Sequence, residues 1–224
     1  SKDFHPGMAK AVFDEAARER ARDGFTLGIR DDVGNTSLDY DAELDIEPAG
    51  TVRCLFFGLG ADGTVGANKN SVKILSDKPG RFAQAYFDYD SHKSGGETAS
   101  HLRFGDQPIS APYLIRQADF VACHKFDFLR RIDVVGKARR GGTFLLNSPY
   151  GPEEVWDRIP REVQQALIDR ELRFWVVDAS EVARRIGLGM RINTILQTCF
   201  FHLAKVLPPE EAIAEIKHGI EKSY

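Results

Sequence analysis

The feature that most restricts the fold is a short run, residues 52–57, that is apolar except at Arg53 and feeds directly into Gly58-Leu-Gly-Ala-Asp-Gly63. An apolar run of this length suits a strand buried on both faces of a parallel sheet. Glycines after it permit a sharp turn, and the spacing of residues 65–75 predicts a helix immediately beyond. Gly58, Gly60 and Gly63 thus make a G-x-G-x-x-G pattern between strand and helix. In that setting free backbone N–H groups and the positive end of the helix dipole can meet a phosphate. The same three glycines would also serve a plain tight turn.

Further strands are expected at 82–89, 120–124, 143–146 and 174–178, and His101 and Arg103 read as strand residues. Helices are expected at 128–139, 153–170, 181–186, 192–206 and 210–222, with Pro209 placed to open the last one. This alternation predicts an α/β fold with a mainly parallel sheet and helices on both faces. Upstream, residues 6–22 have helical spacing, 25–29 are a short apolar stretch, and 31–48 are acidic and turn-rich. We therefore expect an N-terminal helix and connector over 1–50 and one α/β domain over 51–224. The chain opens at Ser1 without a methionine, which suits a fragment or a processed chain.

Composition narrows the classes. With 42% hydrophobic and 28% charged residues the chain is an ordinary globular protein. A net charge of −3 argues against a nucleic-acid partner. No apolar run approaches the ~20 residues that cross a bilayer, and no signal-peptide core opens the chain. Cys54, Cys123 and Cys199 stand singly in apolar stretches and form no C-x-x-C pair. They read as buried hydrophobes in a reducing compartment, so a cytoplasmic location is expected.

If a diphosphate binds the first glycine loop, a nicotinamide dinucleotide is the natural first candidate. That ligand calls for an acid at the end of the second strand, ~20 residues on. Asp88 and Asp90 come later than that. They lead into Ser91-His-Lys-Ser-Gly-Gly96, a second glycine loop carrying Lys93. Two neighbouring loops of this chemistry better suit a ligand with several phosphates, such as coenzyme A with its diphosphate and 3′-phosphate. Lys93 could equally be a solvated loop lysine.

At these loops the sequence resembles a known family. The fourteen residues Gly58-Leu-Gly-Ala-Asp-Gly-Thr-Val-Gly-Ala-Asn-Lys-Asn-Ser71, then Tyr89-Asp-Ser-His-Lys-Ser-Gly-Gly96 and Ser100-His-Leu-Arg-Phe-Gly105, resemble the gamma region of pyruvate:ferredoxin or flavodoxin oxidoreductases. Ala118-Asp-Phe-Val-Ala-Cys-His124, Gly141-Gly-Thr-Phe-Leu-Leu-Asn147 and Arg191-Ile-Asn-Thr-Ile-Leu-Gln-Thr-Cys-Phe-Phe201 fit the same family. Upstream, Phe25-Thr-Leu-Gly-Ile-Arg-Asp-Asp-Val33 resembles its connector.

The resemblance implies a Rossmann-like gamma domain that binds coenzyme A in a thiamine diphosphate-dependent 2-oxoacid oxidoreductase. The parent reaction would convert pyruvate to acetyl-coenzyme A and CO2 and pass electrons to ferredoxin or flavodoxin. Thiamine diphosphate, its magnesium and the iron–sulfur clusters would belong to other domains or subunits, the partners of this one. The isolated chain would be catalytically silent. Carried over by motif, the binding residues would be Gly60, Ala61, Asp62, Gly63, Thr64, Val65 and Lys93, with Asn147 after a strand and Asn193 at a helix start. The family often has lysine where His92 stands, so this loop would carry less charge.

Other attractive residues have plainer readings. Asp62 at a helix start suits a cap. His124, at the end of a parallel strand, is where open sheets put ligands, although a satisfied structural histidine fits as well. Arg103 suits a phosphate or an ion pair equally, and no G-x-S-x-G elbow marks a nucleophile. Two further readings stay open: a Rossmann-type NAD-dependent dehydrogenase, and an assembly module that binds no small molecule.

Overall fold

The computed structural model describes residues 4–29, 33–60, 62–89, 96–189 and 191–222. The chain divides into two compact units, Ser1–Pro48 with Ser110–Leu114, and Ala49–Ile109 with Ile115–Tyr224. The excursion at 110–114 has no signal in the sequence.

In the first unit α1 (Pro6–Ala16) starts on a proline, whose missing N–H costs nothing at a helix start. It buries Gly7, Met8, Ala11 and Glu15 along one stripe. The helical pattern to Arg22 is cut short at Ala16 because the chain folds back on Glu15. That buried carboxylate accepts the Arg22 backbone N–H at 2.9 Å and pairs with the guanidinium groups of Arg18 (3.0 Å) and Arg22 (3.2 Å). The Arg22 hydrogen bonds hold its pKa below the usual carboxylate value. Two short strands, β1 (Thr26–Leu27) and β2 (Ser37–Leu38), pair in parallel within the connector.

The second unit follows the expected alternation. β3 (Val52–Leu59) leads to α2 (Thr64–Ser76), then β4 (Phe82–Tyr89), β5 (Glu97–Gly105) and β6 (Ala118–Cys123). Next come β7 (Ala138–Asn147), α3 (Pro152–Arg158), α4 (Arg161–Asp169) and β8 (Arg173–Val177). The chain ends with α5 (Ala179–Arg185), α6 (Ile192–Ala204) and α7 (Pro209–Lys222). Six strands form one sheet in the order β4-β5-β3-β6-β7-β8. Strands β3, β6, β7 and β8 are mutually parallel, and β5 runs antiparallel to both its neighbours.

Helices cover both faces of this mixed, mainly parallel sheet. On one, Ile74 and Leu75 of α2 and Leu196, Phe200 and Phe201 of α6 pack on Cys54, Phe56, Leu102 and Phe120. The Phe200 ring, with no exposed surface, meets Phe56 at 5.0 Å and Phe120 at 5.3 Å. Burying a side chain of this size contributes about 2–3 kcal/mol. On the other face Phe128, Val135, Val155 and Leu167 pack on Leu55, Val121 and Phe144.

Two predicted helices are corrected. Over 128–139 there are two 3₁₀ turns, Phe126–Arg130 and Val135–Lys137, with β7 starting at Ala138. Here Asp133 turns the chain by accepting the Gly136 N–H at 2.8 Å, and only a glycine leaves room for its carboxylate. The helix expected over 153–170 is split because Ile159, preceding Pro160, is extended (φ −83°, ψ 149°).

Candidate functional site

The connections leaving β3 and β6 set the position of the site. After β3 the chain turns into α2 on one face, whereas after β6 it enters the 3₁₀ turns on the other. The strand ends of β3 and β6 therefore flank a topological switch point, where open α/β sheets form a crevice. The glycine loop lies at this point.

Gly58 and Gly63 each have a physical reason to be glycine. A Cβ on Gly58 would lie 2.4 Å from Thr64 Oγ1, so this glycine makes room for the threonine hydroxyl. That hydroxyl hydrogen-bonds His124 Nδ1 at 2.7 Å, tying the first residue of α2 to the end of β6. Gly60 donates its N–H to the Gly96 carbonyl at 2.9 Å, closing the loop against the entry to β5. Gly63 has φ +83°, in the left-handed region, and a Cβ there would lie 2.5 Å from Asn193 Nδ2.

Asp62 braces the loop from within. One carboxylate oxygen accepts the Leu59 N–H and the other the Thr64 N–H, both at 2.8 Å. The Asn193 side chain, from α6, donates to the Asp62 carbonyl. These bonds leave the N–H groups of Gly63, Val65 and Gly66 without a protein acceptor among the described residues. Gly63 and Gly66 are exposed. Asn193 Oδ1, buried beside the loop, has no partner either.

The neighbouring strand ends are also tied. His124 N–H donates to the Phe57 carbonyl at 2.9 Å. Asn147 donates from Nδ2 to the His124 carbonyl (3.1 Å) and accepts the Ala179 N–H at Oδ1 (3.0 Å). Its amide spans β6, β7 and the start of α5. Burial lowers the His124 pKa to about 4, although the Asp62 carboxylate pulls the other way. The imidazole is therefore neutral at physiological pH.

Of the expected site residues, Gly60, Asp62, Gly63, Thr64, Val65 and Asn193 converge on this loop. Asn147 stands one strand further on. Ala61 and residues 90–95, Lys93 with them, lie outside the described residues, so that of the second glycine loop only Gly96 is described. Sequence reasoning missed the dependence of Thr64 and His124 on each other, sixty positions apart. The one available signal was the glycine that makes room for their contact. Burial raises the pKa of all three thiols, that of Cys123 to about 12, so none is a ready thiolate. Among the described residues no cluster of His, Cys, Asp or Glu is placed to hold a metal. No described helix is long and apolar enough to cross a membrane. A recess of about 870 Å³ opens between the 3₁₀ turns and α3–α4 and shares no residue with the loop.

The profile of the pyruvate ferredoxin/flavodoxin oxidoreductase family matches residues 53–223. The chain is 58% identical over its whole length to a pyruvate-flavodoxin oxidoreductase of Rhodospirillum rubrum. It is likewise 51% identical to a pyruvate:ferredoxin oxidoreductase of Moorella thermoacetica. In both comparisons it spans 19% of the relative. Among solved structures, a pyruvate oxidoreductase subunit of Thermotoga maritima superposes with a TM-score of 0.60 at 18% identity, covering 78% of this chain and 86% of that one. A 2-oxoglutarate:ferredoxin oxidoreductase of Magnetococcus marinus, solved with coenzyme A bound, gives a TM-score of 0.51 at 12% identity over 76% of this chain and 31% of that one.

Proposed function

The chain belongs to the pyruvate ferredoxin/flavodoxin oxidoreductase family, and on that premise we propose that it is the coenzyme A-binding part of such an enzyme. It would serve the oxidative decarboxylation of pyruvate to acetyl-coenzyme A and CO2, with electrons leaving to ferredoxin or flavodoxin. The observation that carries the reading is the set of open N–H groups at Gly63, Val65 and Gly66, at the start of α2 and at the switch point. These donors and the helix dipole suit a diphosphate.

Bound coenzyme A supplies the thiol that accepts the acyl group. This chain's own task is to hold the nucleotide end. The amides of Gly63, Val65 and Gly66 would receive phosphate oxygens, Asn193 Oδ1 would accept a donor, and Lys93 would add the charge that neutral His124 does not. Thr64 and Asn147 would keep the loop in shape, because their side-chain groups are already engaged. Thiamine diphosphate with magnesium, and the iron–sulfur clusters, would be held by other domains or subunits in a cytoplasmic assembly.

Strand order speaks against a nicotinamide dinucleotide. In that fold the strand after the first helix lies directly beside the first strand and brings its acid to the ribose. Here antiparallel β5 occupies that place, and β4 with Asp88 is one strand further out. That sets such an acid one further strand spacing, ~4.8 Å, away from the place the ribose requires. Isothermal titration of the purified chain with coenzyme A and with NAD tests the proposal. Binding of coenzyme A but not NAD is expected. Binding of NAD alone, or of neither, would overturn it.

A further inference from the structure

Helix α2 packs on the sheet in two different ways along its length. Its last turns lay Ile74 and Leu75 into the apolar core. Its first turns present Thr64, Asn68 and Ser71 to the interior, all buried. The sheet answers with polar residues. Along β5, Thr98 and Ser100 occupy the face that carries Leu102 and Phe104 further on, and those two belong to the core beneath α2.

The levels match as well. Ser100 is paired with Phe87 on β4, and the Lys69 ammonium lies 5.5 Å from the centre of the Phe87 ring. Thr64 abuts Gly58, which pairs with Thr98, so Asn68, one helical turn further on, comes near the level of Ser100. Asn68, Thr98 and Ser100 are 3%, 3% and 0% exposed. Asn68 Nδ2, Thr98 Oγ1 and Ser100 Oγ have no hydrogen-bond partner among the described residues. The seam continues to α6, where Gln197 Nε2 donates to Ser71 Oγ at 3.0 Å and to the Ala67 carbonyl at 3.2 Å.

We infer that the α2–β5 seam is a buried water-binding site, with Asn68 Nδ2, Thr98 Oγ1 and Ser100 Oγ as its protein ligands. An amide donor and two hydroxyls, each able to donate and accept, present no net charge. They match a small neutral ligand that does both. Leaving three such groups dry would cost far more than immobilising a water. The water would seat the turns of α2 that follow the glycine loop, where Thr, Val, Gly and Asn are poor helix formers. The inference does not depend on what binds the loop.

Water–protein NOE spectroscopy on the wild-type chain, with a high-resolution crystal structure, tests it. The expected result is long-lived water cross-peaks to the Asn68 side-chain amide and a water within hydrogen-bond distance of two or more of the three atoms. In support, Ser100→Ala should lower the folding equilibrium constant about fivefold, as the loss of a satisfied buried bond does. Direct bonds among the three side chains with no water between them would overturn the inference. So would a Thr98→Val/Ser100→Ala variant more stable than wild type, which would mean the hydroxyls are dry and unsatisfied.

Discussion

Replacing Gly58 by alanine should damage the loop through a contact with no connection to phosphate. The new Cβ would lie 2.4 Å from Thr64 Oγ1, 2.8 Å from Thr64 Cβ and 3.0 Å from an Asp62 carboxylate oxygen. Thr64 is the first residue of α2, so its Cβ cannot simply swing aside. Inserting a methyl group into such a packed site costs about 1–3 kcal/mol. Displacing the buried Thr64 hydroxyl from His124 adds about 1–3 kcal/mol for the group left without a partner. The combined loss is on the order of 4 kcal/mol, a large part of the ~5–15 kcal/mol that holds a domain folded. Urea unfolding of Gly58→Ala, Thr64→Ala and the double variant at pH 7.5 provides the check. Thr64→Ala removes the hydroxyl that the new methyl would strike, so the double variant should fall short of the sum by at least about 1 kcal/mol. Additive effects, or a Gly58→Ala cost below about 1 kcal/mol, would refute the reasoning.

Acid should destabilise the fold through His124. It is neutral in the folded state, with a pKa lowered to about 4, but takes up a proton in the unfolded chain below pH 6.5. Stability should therefore rise with pH between about 4 and 6.5, by up to about 1.4 kcal/mol per unit, and level off above. Melting temperatures of wild type and His124→Gln across this window should show the slope shrinking in the variant. Lys93→Ala should weaken coenzyme A binding about 10- to 100-fold by titration calorimetry, as expected for a lost charge-assisted phosphate contact. In the first unit, a Cβ on Gly7 would lie 1.8 Å from the Asp41 carbonyl oxygen. Gly7→Ala should cost about 3 kcal/mol there, read as faster hydrogen exchange across 6–16 with the sheet of the second unit unchanged.

The sequence was most readable where one physical cause acted alone. Residues 54–57 are apolar because β3 is covered on both faces, and the three glycines mark a turn that is present. The expected strand 82–89 has the observed bounds. Reading failed where a distant partner decided the outcome. α1 stops early because Glu15 draws the chain back through Arg22. The helix expected near 130 gives way to 3₁₀ turns around Asp133 and Gly136. β5 was hinted at only by His101 and Arg103, since a buried strand rich in Thr, Ser, His and Arg does not look like core. Its insertion beside β3 is what separates this sheet from a dinucleotide fold, and strand order is invisible to local periodicity. At the site, the glycine motif was legible as a pattern. The side chains that give Gly58 and Gly63 their reason, Thr64 and Asn193, lie six and 130 residues away from them and emerge only in the folded chain.

The most direct measurement is an amide chemical-shift map of the ¹⁵N-labelled chain titrated with coenzyme A. The N–H groups of Gly63, Val65 and Gly66 should show the largest shifts, with saturation, while those of Leu59 and Thr64, already bonded to Asp62, move less. Shifts confined to the recess between residues 129–135 and 157–166, with the glycine loop unmoved, would contradict the assignment of the loop as the phosphate-binding site.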